Sequence, residues 1–167
     1  MSDEIKKGLV GVISDETKVS EVMPEINSLT YRGYAVQELC AKCNFEQVAY
    51  LLLHGELPNP DELKAFEEYE RTNRNISDTL KNTIKNYPNN AHPMDTTRTT
   101  VSHMGLEDPD TEDNSPESNM RKSMRLLAQI STAVAANFRI RKGQEIINPD
   151  LSLSFSENFF HMSFGKV

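Results

Sequence analysis

The side chains that could carry chemistry are few and lie far apart. Histidines stand at His54, His92, His103 and His161, and the two cysteines, Cys40 and Cys43, form a C-x-x-C. Acyl-transfer hydrolysis wants a serine presented on a sharp turn, as in G-x-S-x-G, and that context is absent. There is likewise no G-x-G-x-x-G to cradle a dinucleotide, no Walker loop and no H-E-x-x-H for zinc. His54 precedes Gly55, where an imidazole complements the negative end of a helix. His92 precedes Pro93 and reads as a helix cap. His161 sits in an aromatic run and reads as a hydrogen-bonded packing residue. Arg98 and His103 fit no chemical pattern.

The remaining polar features also have structural readings. A zinc site needs about four ligands, and no second cysteine pair or H-x₃-H accompanies Cys40 and Cys43. A redox pair wants its first cysteine at a helix N-terminus, whereas Cys40 follows several residues of helical pattern, so packing thiols are expected. Arg32 beside Gly33 could bind an anion or brace a turn through backbone carbonyls, and the brace is the simpler expectation. Arg139, Arg141 and Lys142 suit the negative end of a helix. Between Glu107 and Glu117 lie six acids and no base. Pro109 and the lack of a central glycine argue against a calcium loop, leaving a solvated connection. By themselves these residues show no active site: no catalytic residue and no metal ligand is assigned.

The elements that must position them are nearly all helical, and the fold class expected is mainly α and multi-helical. A short N-terminal β-hairpin or extended segment is expected within Gly8–Ser20, where β-branched residues alternate with turn signals. Leu29–Pro58 is the densest apolar block of the first half. Val36, Leu39, Cys40 and Cys43 form one helical stripe, and Phe45, Val48, Ala49 and Leu52 form a second. Asn44 with Gln47 makes a capping box, and Gly55 followed by Pro58 ends the helix. Asn59-Pro60-Asp61-Glu62 opens the next helix, carrying Leu63, Phe66 and Tyr69. Ile76-Ser77-Asp78 starts another, with Leu80, Ile84 and Tyr87. His92-Pro93 starts a third, with Met94, Val101 and Met104 facing inward and Gly105 as its stop.

The longest helix is expected from Ser118 or Asn119 to Lys142, slim at Ala128, Ala133, Ala135 and Ala136. Small residues let neighbouring helices approach closely, so a central or interfacial place follows. Asn148-Pro149-Asp150 is expected to open a last helix crowded with Phe155, Phe159, Phe160, Met162 and Phe164, which needs a partner surface. The expected organisation is an arm over 1–28, short helices over 29–105, an acidic loop over 106–118, the long helix over 119–143 and the aromatic helix over 144–167.

Bulk composition excludes several classes. At 167 residues the chain is the size of one domain, with 37% hydrophobic residues, net charge −7 and pI about 5.1. Scattered bases speak against a nucleic-acid partner. No apolar run reaches the roughly 20 residues that span a bilayer. Met1–Gly11 has neither the apolar core of a secretory signal nor an Arg-rich amphipathic pattern, so a cytoplasmic location is expected.

Three segments carry a resemblance. LTYRGYAVQEL at 29–39, CNFEQVAYLLLHGELP at 43–58 and HPMDTTRTTVSHMG at 92–105 resemble the N-terminal part of the citrate synthase family, the bacterial 2-methylcitrate synthases in particular, in order and spacing. The resemblance runs from Gly8 to Val167 and implies part of a large, helical domain, with the small domain outside this stretch. It implies a subunit that works as a homodimer and condenses oxaloacetate with acetyl-CoA or propionyl-CoA, needing no metal or redox cofactor.

The family's catalytic His, His and Asp, and the residues that hold oxaloacetate, lie downstream of the stretch matched here, so none is carried over. Tyr69 is the one substrate-binding residue the resemblance suggests, at a position where relatives often hold a base. Two functions follow as expectations. One is the N-terminal part of a citrate or 2-methylcitrate synthase-like acyltransferase, inactive alone. The other is a non-enzymatic helical interaction protein built on the same domain, binding a full-length synthase or another partner. On either reading the isolated chain is expected to be a homodimer or helix-mediated oligomer, or a partly disordered species, because its long helix and aromatic tail leave apolar surface exposed.

Overall fold

In a computed structural model, residues 6–166 are described. Met1–Ile5, part of the segment read for a secretory or transit signal, and Val167, the last residue of the aromatic tail, lie outside that range. Three antiparallel strands, β1 (Ser20–Met23), β2 (Ser28–Tyr31) and β3 (Tyr34–Ala35), precede seven helices. These are α1 (Val36–Lys42), α2 (Phe45–His54), α3 (Pro60–Thr72), α4 (Asp78–Lys85), α5 (Pro93–Glu107), α6 (Pro116–Arg141) and α7 (Phe155–Phe164). The mainly helical fold class read from the sequence holds.

The sheet lies later than the Gly8–Ser20 segment expected to form it. Among the described residues the stretch 10–13 finds no partner strand, and Ile13 is 88% exposed. Pairing starts only where the chain can double back: the turn at Pro24–Asn27 brings Ser20 opposite Tyr31 and Met23 opposite Ser28. Arg32 and Gly33 then make a two-residue turn with both φ angles positive, 51° and 87°. That geometry matches the twist of the flanking strands. A left-handed arginine is held by two sets of bonds: its N–H donates to the Val19 carbonyl at 2.9 Å, and its Nη2 to the Leu52 carbonyl at 2.7 Å. Arg32 is thus the brace expected, joining hairpin to α2.

Helix starts follow the capping chemistry. Asn44 with Gln47, and Asn59 with Glu62, form reciprocal capping boxes, and Ser77 caps α4. Three boundaries differ from expectation. α5 runs past Gly105 to Glu107, because Gly105 keeps helical φ rather than turning left-handed. α6 begins at Pro116 on the cap Ser115, because proline at the first helical position is pre-set for the turn; Ser118 lies inside and is buried. α7 begins at Phe155 on a Ser154–Glu157 capping box, so residues 148–153 are an irregular link with a turn at Leu151 and Ser152 rather than a helix start.

α6 is the central element expected, packing against α3, α4, α5 and α7. Ala128, Ala133, Ala135 and Ala136 are buried where neighbours cross. One core joins Ile76, Leu80 and Ile84 to Met104, Ala133 and Ala136, and a second joins Ala49, Phe66 and Met124. Inward-facing residues differ in places. Met94 is 65% exposed, while Thr96 and Thr100 take the buried face of α5, their hydroxyls satisfied by the carbonyls of Pro93 and Thr96. Cys40 is exposed and Cys43 half-buried, since α1 buries only Leu39. On α2 the buried positions are Glu46, Ala49 and Leu51. Phe45, Val48 and Leu52 instead edge an apolar groove of about 440 Å³ closed on the other side by Leu127.

Candidate functional site

The four histidines stay apart and each has a local role or neighbour. His54, at the end of α2, stacks on Tyr50 at 4.1 Å and stands edge-on to Phe66. His92 caps α5 by accepting from the Met94 N–H through Nδ1, as its place before Pro93 suggests. His103 faces Glu107 at 3.3 Å, a same-helix pair four residues apart. His161 lies half-buried on α7 with Asp150 in its electrostatic neighbourhood. Among the described residues no three His, Cys, Asp or Glu side chains gather where a metal could sit.

Tyr69, the substrate-binding residue suggested by resemblance, lines an open cleft of about 370 Å³ between α2, α3 and α6. Its walls include Tyr50, Phe66, Met120 and Met124, with Glu62 and Arg121 at the rim. Desolvation pushes the Tyr50 hydroxyl above its ordinary pKa, and the negative Glu62 adds to the effect. The cleft can hold an apolar or aromatic group, and it brings no nucleophile next to a proton acceptor.

The acidic stretch is a clamp rather than a free solvated loop. Arg125 on α6 grips Asp108 through Nε and Nη2, at 2.9 and 2.7 Å, and reaches Asp110 at 2.8 Å. Arg121 joins Asp110 at 3.1 Å. Hydrogen bonds from Arg121 and Arg125 hold the Asp110 carboxyl down at about 2. The sequence places these bases one turn apart on α6, but not which acids they meet.

A buried cluster escaped the sequence reading altogether. Glu70 and Arg74 are both almost completely buried, their carboxylate and guanidinium joined by hydrogen bonds of 2.6 to 3.0 Å. Arg74 Nη1 also donates to the carbonyls of Asp150 and Leu153, each at 2.9 Å. Thr132 on α6 donates to the Arg74 carbonyl at 2.8 Å. Glu46 accepts the first N–H of α7, from Phe155, and Asn158 accepts the Asp150 N–H, each at 2.9 Å. Together these bonds fix the irregular link and the N-terminus of α7. Glu and Arg four apart on a helix was the available signal, but that spacing ordinarily marks an exposed pair.

Comparison with known proteins places this scaffold. A family model described as "Citrate synthase, C-terminal domain" matches residues 8–167. The chain is 48% identical over 164 residues to the 2-methylcitrate synthase of Mycobacterium tuberculosis (strain H37Rv), covering 98% of this chain and 41% of that protein. It is 48% identical to the citrate synthase of Mycolicibacterium smegmatis, covering 98% of this chain and 43% of the relative. Citrate synthase from Pyrobaculum aerophilum superposes with a TM-score of 0.89 at 29% identity, over 97% of this chain and 42% of that one. The chain thus spans less than half the length of the relatives it matches. The resemblance read from three segments extends over nearly the whole sequence, and the chain belongs to the citrate synthase family.

Proposed function

We propose that this chain supplies the N-terminal, large-domain scaffold of an acyl-CoA:oxaloacetate C-acyltransferase of the citrate or 2-methylcitrate synthase kind, and that it does not turn over alone. The observation that carries the reading is the use of its polar side chains. Within the described residues His92 caps α5, His103 faces Glu107 on the same helix, and the buried Glu70–Arg74 pair and the Asp108–Asp110–Arg125 clamp hold helices and links together. None converges on a space where a thioester could be enolised, a step that needs an acid and a base on either side of the reacting carbon. Tyr69 contributes to the substrate approach through its cleft. Oxaloacetate and acetyl-CoA or propionyl-CoA are the substrates of the complete enzyme, whose subunits pair as a homodimer in the cytoplasm.

The test is thiol release from acetyl-CoA and propionyl-CoA with oxaloacetate, using this chain alone and mixed with the remaining portion of the Mycobacterium tuberculosis relative. No sustained rate alone and an oxaloacetate-dependent rate on mixing is the expected result. A sustained rate from the chain alone would show a complete site in it and overturn the division of labour. Silence of the mixture, despite co-elution of the two pieces, would favour the non-enzymatic interaction protein.

A further inference from the structure

Cys40 and Cys43 are not the packing thiols that their spacing suggests: both are free, Cys40 exposed and Cys43 half-buried. Cys40 lies in the last turn of α1, and Cys43 is the residue that ends it, with φ and ψ of −119° and 150°. The Cys43 N–H still closes the helical turn on the Leu39 carbonyl at 2.9 Å. A closed turn sets residues three apart at about 5 Å between Cα atoms, inside the range of about 4.4–6.8 Å that a disulfide spans. Their Cβ atoms stand about 5–6 Å apart on a regular helix, against about 3.5–4.5 Å in the bond. The pair therefore closes once Cys43, already outside the helix, turns toward Cys40. That pairing is set by one turn within the chain and not by any uncovered face.

The movement falls on a joint. Cys43 leads directly into Asn44, Phe45 and Glu46, the start of α2. Asn44 and Gln47 exchange capping bonds of 2.8 and 2.9 Å. Phe45 stacks on Phe155 with ring centroids 4.2 Å apart, and the buried Glu46 accepts the Phe155 N–H at 2.9 Å. The far end of α2 is pinned, since Arg32 Nη2 donates to the Leu52 carbonyl at 2.7 Å. A turn at Cys43 is therefore taken up at the start of α2, where α7 is seated.

We propose that Cys40 and Cys43 form a reversible disulfide, and that this bond loosens the hold of α2 on the start of α7. The oxidant is a low-molecular-weight disulfide. The exposed Cys40 thiolate attacks one of its sulfurs, forming a mixed disulfide and releasing one thiolate. The Cys43 thiolate then attacks the Cys40 sulfur, closing the internal bond and releasing the second thiolate. The two cysteine protons pass through water to the released thiolates, and two electrons move from the pair to the oxidant. Excess oxidant caps each cysteine in turn, so the internal bond forms where the disulfide is limiting. A bond whose partners must be drawn together is readily reduced, which suits a switch rather than a staple. The inference is independent of the catalytic reading above.

Incubation of the intact chain with equimolar glutathione disulfide tests it, read by intact mass, peptide mapping and amide hydrogen exchange followed by NMR. The expected product is about 2 Da lighter than the reduced chain, with Cys40 joined to Cys43, and dithiothreitol restores the starting mass. Exchange of the Phe155 N–H should quicken at least about fivefold on oxidation, while the buried amides of α4 stay as they were. Cys43→Ser should stop at the glutathione adduct on Cys40, with exchange at Phe155 as slow as in the reduced chain. A native chain that keeps the glutathione adduct, or that links only to a second copy, overturns the proposal. So does an internal bond that leaves exchange at Phe155 unchanged.

Discussion

Arg74 and Glu70 form a two-pronged ion pair sealed inside the protein: Nε meets Oε1 at 2.8 Å and Nη2 meets Oε2 at 2.6 Å. The remaining Nη1 ties the end of α3 to the link before α7, so one guanidinium joins segments more than seventy residues apart. Arg74→Met would strand the Glu70 carboxylate in a dry site and release two carbonyls. The expected loss is about 3–5 kcal/mol of unfolding free energy, read by urea denaturation. Adding Glu70→Leu removes the stranded charge, so the double variant should recover part of that loss. A double variant no better than the single one would show that the carbonyl bonds, not the pair, carry the stability.

Ile84 is completely buried between α4, α5 and α6. Ile84→Ala should cost about 2–5 kcal/mol, the transfer of the lost methyls plus the cavity left behind. The midpoint of the denaturation curve should fall with its slope unchanged. Asn82, on the same helix but exposed, should tolerate alanine with little change.

The clamp on Asp110 should give an acid-sensitive term. Because Arg121 and Arg125 hold its carboxyl at about 2 when folded, against an ordinary 3.8, the folded state binds fewer protons than the unfolded one between those values. The contribution is fully present above about pH 4 and is lost as pH falls toward 2. Asp110→Asn should therefore flatten the pH dependence of stability in that window while changing little of its slope above pH 5. Because the groups are partly solvent-exposed, high salt should shrink the effect.

Cys40 is exposed and Cys43 half-buried, one helical turn apart. A thiol reagent such as an aromatic disulfide should modify Cys40 promptly in the native chain, and Cys43 more slowly. Mass spectrometry of timed samples reads the order. Equal rates would mean that the end of α1 opens faster than the reagent reacts.

What the sequence determined was local. Asn44 with Gln47, Asn59 with Glu62, and His92 before Pro93 announce their helices because a cap and its partner lie within three residues of each other. The alanines of α6 foretell a central helix because small side chains at helical spacing have one main use, close packing. The three family segments were legible for the same reason, each being a contiguous run. Only the tertiary structure decided what depends on distant partners. Val10–Ile13 has strand-like residues yet stays unpaired, while Ser20–Tyr31 pairs because a turn returns it on itself. Met94 and Thr96 exchange places between core and solvent because the face of α5 is chosen by α6 and not by α5's own hydrophobicity. The Glu70–Arg74 pair reads as an ordinary surface spacing until Asp150 and Leu153 arrive from the far end of the chain to bury it. Caps and periodicity are properties of neighbours in sequence, whereas burial and charge pairing are set by whichever segments fold back upon them.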